Sequence, residues 1–154
     1  MIPKINKKIK QEIKEILTRK QYPEFVIEGG LERSLQEWKN FVRWCEKGYD
    51  FRIEEYRNDL DKRNIIRIIL EELNNKNFVD EILSFLKPID NKFKLLLVET
   101  DKCIWGPRLA NRYLPKEKYF WYWGIVNNAK GELLENLKES EFTFYKKKDK
   151  EVKS

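Results

Sequence analysis

The apolar positions of this chain recur at three- and four-residue intervals over most of its length, the period of helices with one buried face. The first stripe, Ile5, Ile9, Ile13, Ile16 and Leu17, predicts an amphipathic helix over residues 4–20, with Lys7, Lys8, Lys10 and Lys14 on its remaining surface. Pro23 and the pair Gly29-Gly30 then interrupt the pattern, and Phe25, Val26 and Ile27 are expected as an extended segment against the core. A second stripe, Leu31, Leu35, Trp38, Val42 and Cys45, widened by Phe41, predicts a helix from Leu31 to Lys47. Gly48 follows it as a natural left-handed residue beyond the helix end.

The densest pattern lies between Gly48 and Leu73. Asp50 is placed to cap a short helix through Ile53, Tyr56 and Leu60. Asn58, Asp59 and Asp61 are weak inside helices and strong at turns and caps, so a break is expected there. Asp59 or Asp61 would cap the helix that follows, with Arg63 or Arg67 as a charge-assisted partner. That next helix carries Ile65, Ile66, Ile68, Ile69, Leu70 and Leu73 on more than one face, which predicts burial among other elements.

From Phe78 the apolar positions 78, 82, 86, 89, 93, 96 and 97 keep a helical rhythm through Pro88. Proline removes a helix hydrogen bond, so two helices meeting near Pro88 are expected. The rhythm favours helix for Phe93–Val98, but so short an apolar run leaves a buried strand open. Residues 100–118 read as irregular, with a turn at Trp105-Gly106-Pro107. Tyr119–Val126, with its run of aromatics, is the best strand in the chain. Alternation would send Tyr119, Trp121 and Trp123 to one face and Phe120 and Tyr122 to the other. A turn at 127–131, a short helix over about 132–137 and a solvated Lys-rich tail from Tyr145 complete the reading. The expected fold is a mainly α, single compact helical domain spanning residues 1–154, with a short β element near residues 119–126.

Composition supports that class. Charged residues make up 38% of the chain, above the roughly 25% of an average globular protein, which favours a charge-laced helical surface. The net charge of +6 is uneven: residues 1–20 carry +5, residues 141–154 carry +2, and everything between sums to −1. Basic ends on a nearly neutral body make nucleic acid an alternative partner through those ends rather than through the fold itself. The N-terminal segment lacks the apolar core of a signal peptide, and no apolar run approaches the roughly 20 residues of a membrane helix. A cytoplasmic protein with no membrane partner is the expectation.

The available chemistry is sparse. The chain has no histidine, which removes the commonest general base and the usual nucleophile–base pairs. Cys45 and Cys103 are the only cysteines and stand far apart, without metal or redox spacing. No phosphate-binding loop, dinucleotide fingerprint or calcium loop occurs. Glu54, Glu55, Asp59, Asp61, Glu71 and Glu72 could in principle pair for acid–base work, but acids of these kinds more often cap helices or face water. No catalytic, cofactor-binding or metal-binding residue is therefore assigned, and no cofactor is expected. The candidate partner-binding residues are Trp105, Phe120 and Tyr122, from an aromatic cluster that binds if exposed and is core if buried, with Lys7, Lys8 and Lys14 of the basic helix. Tyr49, Tyr56, Asn58, Asp59, Asp61 and Arg63 are read as structural.

The run Gly48-Tyr49, then Glu55-Tyr56-x-Asn58-Asp59-Leu60-x-x-Arg63, with Trp105-Gly106 and Trp121-Tyr122-Trp123 later, resembles a pattern of small bacterial proteins with no known activity. The resemblance spans residues 35 to 137. It implies a compact, mainly helical domain and brings no catalytic residue. A small protein without catalytic groups is expected to bind a protein partner, as an immunity protein or antitoxin does. A carboxylate-dependent enzyme is the remote alternative.

Overall fold

The computed structural model describes residues 1–139, the side chain of Glu99 excepted, and the Lys-rich tail from Tyr145 lies outside them. The described chain is mainly helical, with five α-helices and one two-stranded sheet. The N-terminal Ile stripe forms α1, Lys7–Arg19, and Ile9, Ile13, Ile16 and Leu17 are buried. Its start is set by Asn6, whose side chain accepts from the Ile9 N–H at 2.9 Å. An N-cap acceptor of this kind satisfies a helix donor that otherwise has no partner. Asn6→Ala is expected to destabilise the protein by about 1 kcal/mol in a urea melt, and an unshifted midpoint would show that the cap contributes nothing.

Helix α2 runs Glu24–Lys47 and is broken once, at Gly30, with φ 60° and ψ −156°. The segment holding Phe25, Val26 and Ile27, expected to be extended, is helical. Pro23 starts it, its carbonyl accepting from the Val26 and Ile27 N–H groups. Gly30 supplies the positive φ that lets a second helical run begin at Leu31, where the apolar stripe places it.

Helix α3, Ile53–Glu72, passes through Asn58, Asp59 and Asp61 without the expected break. Asp59 and Asp61 therefore sit in a helix interior and cap no helix start. Ile53, Tyr56, Leu60, Arg63, Ile66 and Ile69 are buried at unbroken helical spacing. Burial of that stripe outweighs the few tenths of a kcal/mol per residue by which Asn and Asp disfavour helix. Helix α4, Lys76–Leu96, likewise contains Pro88 where a junction of two helices was expected. Ile82, Leu86, Ile89 and Phe93 are buried while Pro88 and Ser84 are exposed, so the carbonyl that Pro88 cannot pair with belongs to a water-facing turn.

The helix reading of Phe93–Val98 holds as far as Leu96, and Leu97–Glu99 is strand β1. It pairs antiparallel with β2, Gly124–Val126, in the register Leu97↔Val126, Val98↔Ile125, Glu99↔Gly124. The β element thus lies where expected but is shorter, because the ladder stops at Gly124. A Cβ there would stand 3.0 Å from the Val98 carbonyl oxygen, so a larger residue would push the two strands slightly apart. Ahead of it, Phe120–Tyr122 forms a 3₁₀ turn, and Trp121, Tyr122 and Trp123 are all buried. Alternation between two faces does not apply to a turn of that kind. Helix α5, Gly131–Lys138, follows.

Contacts divide the chain into two units. The first comprises residues 1–42 and 59–92. Ile13, Ile16, Leu17, Leu35, Trp38, Leu60, Ile66, Ile69, Ile82 and Leu86 are buried within it. The second comprises residues 43–58 and the described residues from 93 onward. Its buried set includes Tyr49, Tyr56, Phe93, Trp121, Tyr122, Ile125, Leu133 and Leu137.

Candidate interaction surface

In the second unit the Gly48–Ile53 loop leads from the end of α2 into α3, and α5 fixes it. Gly48 has φ 108°, and a Cβ there would meet the Lys130 side chain at 2.6 Å. Lys130 donates its backbone N–H to the Tyr49 carbonyl at 2.9 Å, and its Nζ to the Lys47 carbonyl at 3.0 Å. The Glu132 N–H reaches the Asp50 carbonyl at 3.1 Å. Asn136 Oδ1 accepts from the Ile53 N–H at 3.0 Å and so serves the first turn of α3. Asn128 Nδ2 donates to the Cys45 carbonyl at 2.9 Å at the end of α2. These bonds satisfy helix-end groups that would otherwise need water.

Two large aromatics remain partly in solvent here, Trp44 in the last turns of α2 at 38% and Phe51 on the loop at 39% exposure. Trp44 is positioned twice: its ring centroid lies 4.3 Å from that of buried Tyr49, and its Nε1 donates to Asp50 Oδ1 at 3.2 Å. Tyr49 in turn meets buried Tyr56 edge-on at 5.4 Å. The Arg52 guanidinium lies 5.2 Å from the Phe51 ring centroid. The result is an exposed set, Trp44 at the end of α2 with Phe51 and Arg52 on the loop that follows, beside the buried Tyr49. Sequence patterning passed it over because Trp44 and Phe51 lie off the apolar stripes. An aromatic off the stripe of its own helix is the signal that would have found Trp44.

The aromatics expected to bind if exposed are placed otherwise. Tyr122 is fully buried, with Tyr113, Trp105 and Trp121 around it at centroid distances of 4.5, 6.4 and 5.7 Å. Trp105 is half-buried with the Arg57 guanidinium 5.9 Å from its ring, and Arg57 Nε also donates to the Ile104 carbonyl at 3.1 Å. Phe120 is half-buried with Lys94 Nζ 4.5 Å from its ring. Protein cations already occupy a face of each partly open ring. Lys7, Lys8 and Lys14 are exposed on α1 in the first unit.

Of the residues read as structural, Tyr49 and Tyr56 are buried in the second unit, Asn58 is exposed, and Asp59 and Asp61 are half-buried on α3. Arg63 is buried in the first unit. It donates to Asp90 through Nε at 3.1 Å and Nη2 at 3.0 Å, and Trp38 Nε1 donates to the same carboxylate at 2.9 Å. Sequence reasoning missed Asp90, although an acid lodged in the 82–86–89–93 stripe of α4 is a visible anomaly. Both cysteines are buried, and desolvation pushes the Cys103 thiol above its ordinary pKa, against a smaller opposing hydrogen bond with the Trp105 backbone. Among the described residues, no group of three His, Cys, Asp or Glu comes together to hold a metal ion, and no helix is long and apolar enough to cross a membrane. Compared with protein families, curated proteins and solved structures, the chain matches none.

Proposed function

We propose that this chain is a non-enzymatic protein-binding protein that acts on a single partner, as an immunity protein or antitoxin does, in the cytoplasm. The observation that supports this reading is the exposed set of Trp44 at the end of α2 and Phe51 and Arg52 on the anchored loop after it. Tryptophan and arginine dominate the energetics of protein interfaces, and pre-positioned side chains lose little freedom on binding. Phe51 and Arg52 are exposed, and the side-chain hydrogen bonds that anchor their loop come from Asn136 and Lys130, so replacing both keeps those anchors. The test is stoichiometric capture from the native host by the full chain. One partner should be recovered by the wild type, with F51A/R52A weakening its affinity at least about thirtyfold, the effect of losing a hot spot of 2 kcal/mol. Repeated recovery of nothing, or equal capture by the double variant, would overturn the reading.

Exposed Lys7, Lys8 and Lys14 favour a second reading, attachment to nucleic acid through the basic N-terminal helix. Glu12 and Glu15 share that helix and dilute its charge. Binding of this kind must weaken steeply between low and moderate salt. Absent or salt-independent shifts of DNA and RNA in a gel would dispose of it.

A further inference from the structure

We propose that the basic segment 102–118, in the second unit, binds an acidic stretch of a protein partner. These residues hold five cations and a single acid, a net of +4 concealed within the nearly neutral middle of the chain. Arg108, Arg112, Lys116 and Lys118 are all exposed. Arg108 and Arg112 make no ion pair with any described residue. Lys116 pairs with Asp101 at 3.5 Å, but the Asp101 side chain is fully exposed, and such a surface pair contributes little. Buried aromatics hold the segment in place. The Tyr113 carbonyl, at the end of the 3₁₀ turn Ala110–Tyr113, accepts from Trp123 Nε1 at 2.7 Å. The Tyr113 ring lies 5.5 Å from that of Tyr119 and 4.5 Å from that of Tyr122. Lys116 Nζ sits 4.9 Å from the Trp123 ring centroid, and Lys118 Nζ 5.6 Å from that of Tyr119. The backbone that carries Arg112, Lys116 and Lys118 is thus fixed around Tyr113 in advance, which lowers the entropic cost of binding there.

The rings and the one open apolar side chain decide between polyanions. Single-stranded nucleic acid binds basic surfaces by stacking its bases on open aromatic faces. Here Tyr119 and Trp123 are buried, and Lys118 and Lys116 lie over them. Lys94 likewise covers a face of half-buried Phe120. What stands open within the segment is Leu114, 49% exposed, between Arg112 and Lys116 along the chain. An apolar side chain flanked by cations complements an apolar residue flanked by glutamates or aspartates. The inference takes from the protein-binding reading only the class of partner, and it uses neither the Trp44 face nor the basic N-terminal helix.

The probe is a short labelled peptide with glutamates on both sides of a central leucine, titrated against the full chain by fluorescence anisotropy at low salt. Saturable binding in the micromolar range is expected, weakening as salt is raised. R108E/R112E turns two exposed attractions into repulsions and should weaken binding about tenfold with an unchanged melt. K39E/K87E makes the same change of charge in the first unit and should leave affinity within about twofold. Glycine in place of the peptide leucine should cost about threefold, and single-stranded DNA of equal charge should bind at least about tenfold more weakly than the peptide. A shifted melt of R108E/R112E transfers the comparison to R108Q/R112Q, expected to lose about threefold. No saturation, equal losses from the two charge-reversed pairs, indifference to the leucine, or DNA binding as tight as the peptide would each overturn the proposal. Failure here leaves capture through Phe51 and Arg52 unaffected, so the two readings fail separately.

Discussion

Replacing Asp90 by alanine is expected to remove about 3–5 kcal/mol of stability, because it takes a paired carboxylate from the Arg63 guanidinium in a site only 7% exposed. The carboxylate accepts from Arg63 Nε and Nη2 and from Trp38 Nε1, so one deletion takes an acceptor from three N–H groups on two buried side chains. Graded variants separate these contributions. R63M/D90L removes both charges and should recover most of the loss, since apolar groups of similar volume replace a buried ion pair at little cost. It still leaves the Trp38 N–H buried, at about 1–3 kcal/mol. Adding Trp38→Phe to that pair should therefore improve stability further, although Trp38→Phe alone destabilises the wild type. Urea melts of the four proteins test the order. A D90A loss below about 1 kcal/mol would mean that water reaches Arg63 and that the network does not organise the first unit.

This network shows where the sequence stops being legible. Helical periodicity located the helices because it is a local property, carried by side chains a few residues apart. Within reach along the sequence, Asp59 and Asp61 are the acids that Arg63 or Arg67 is expected to partner. In the structure Arg63 donates to Asp90, twenty-seven residues away, which only the folded arrangement of α3 beside α4 brings near. The missed continuity of α3 and α4 has the same origin. Asn58, Asp59, Asp61 and Pro88 express local preferences of a few tenths to about 3 kcal/mol, whereas burial of a Tyr56–Leu60–Ile66 stripe contributes several times 1.5–3 kcal/mol. Local signals decide where a helix ends only when burial is indifferent.

The aromatic segment failed differently. Tyr119–Val126 was read for strand alternation, which requires a ladder along its whole length. The partner strand has three residues, so beyond Gly124 the chain is free to turn and bury Trp121, Tyr122 and Trp123 together. Exposed rings lie elsewhere, at Phe25 and at the pair Trp44 and Phe51. Those two were passed over because attention went to the richest aromatic cluster, and density of aromatics measures core as readily as interface.

Tyr49→Ala is the second large effect and links stability to the candidate surface. Tyr49 is fully buried between Trp44 and Tyr56, and truncation of a large core ring costs about 3–5 kcal/mol. The cavity would open beside Trp44, which keeps its 3.2 Å bond to Asp50 but loses its ring contact and should become more mobile. Loss of a pre-positioned aromatic raises the entropic cost of binding, so partner affinity should fall even at temperatures where the variant remains folded. Tyr49→Leu separates the two consequences. It refills much of the volume and should restore more than half of the stability, yet it offers Trp44 no ring, so the affinity loss should persist. Denaturant melts and affinity for the captured host partner, measured side by side, decide the matter. If affinity recovers in step with stability, Tyr49 acts on the surface only by keeping the second unit folded, and the ring contact to Trp44 contributes nothing of its own.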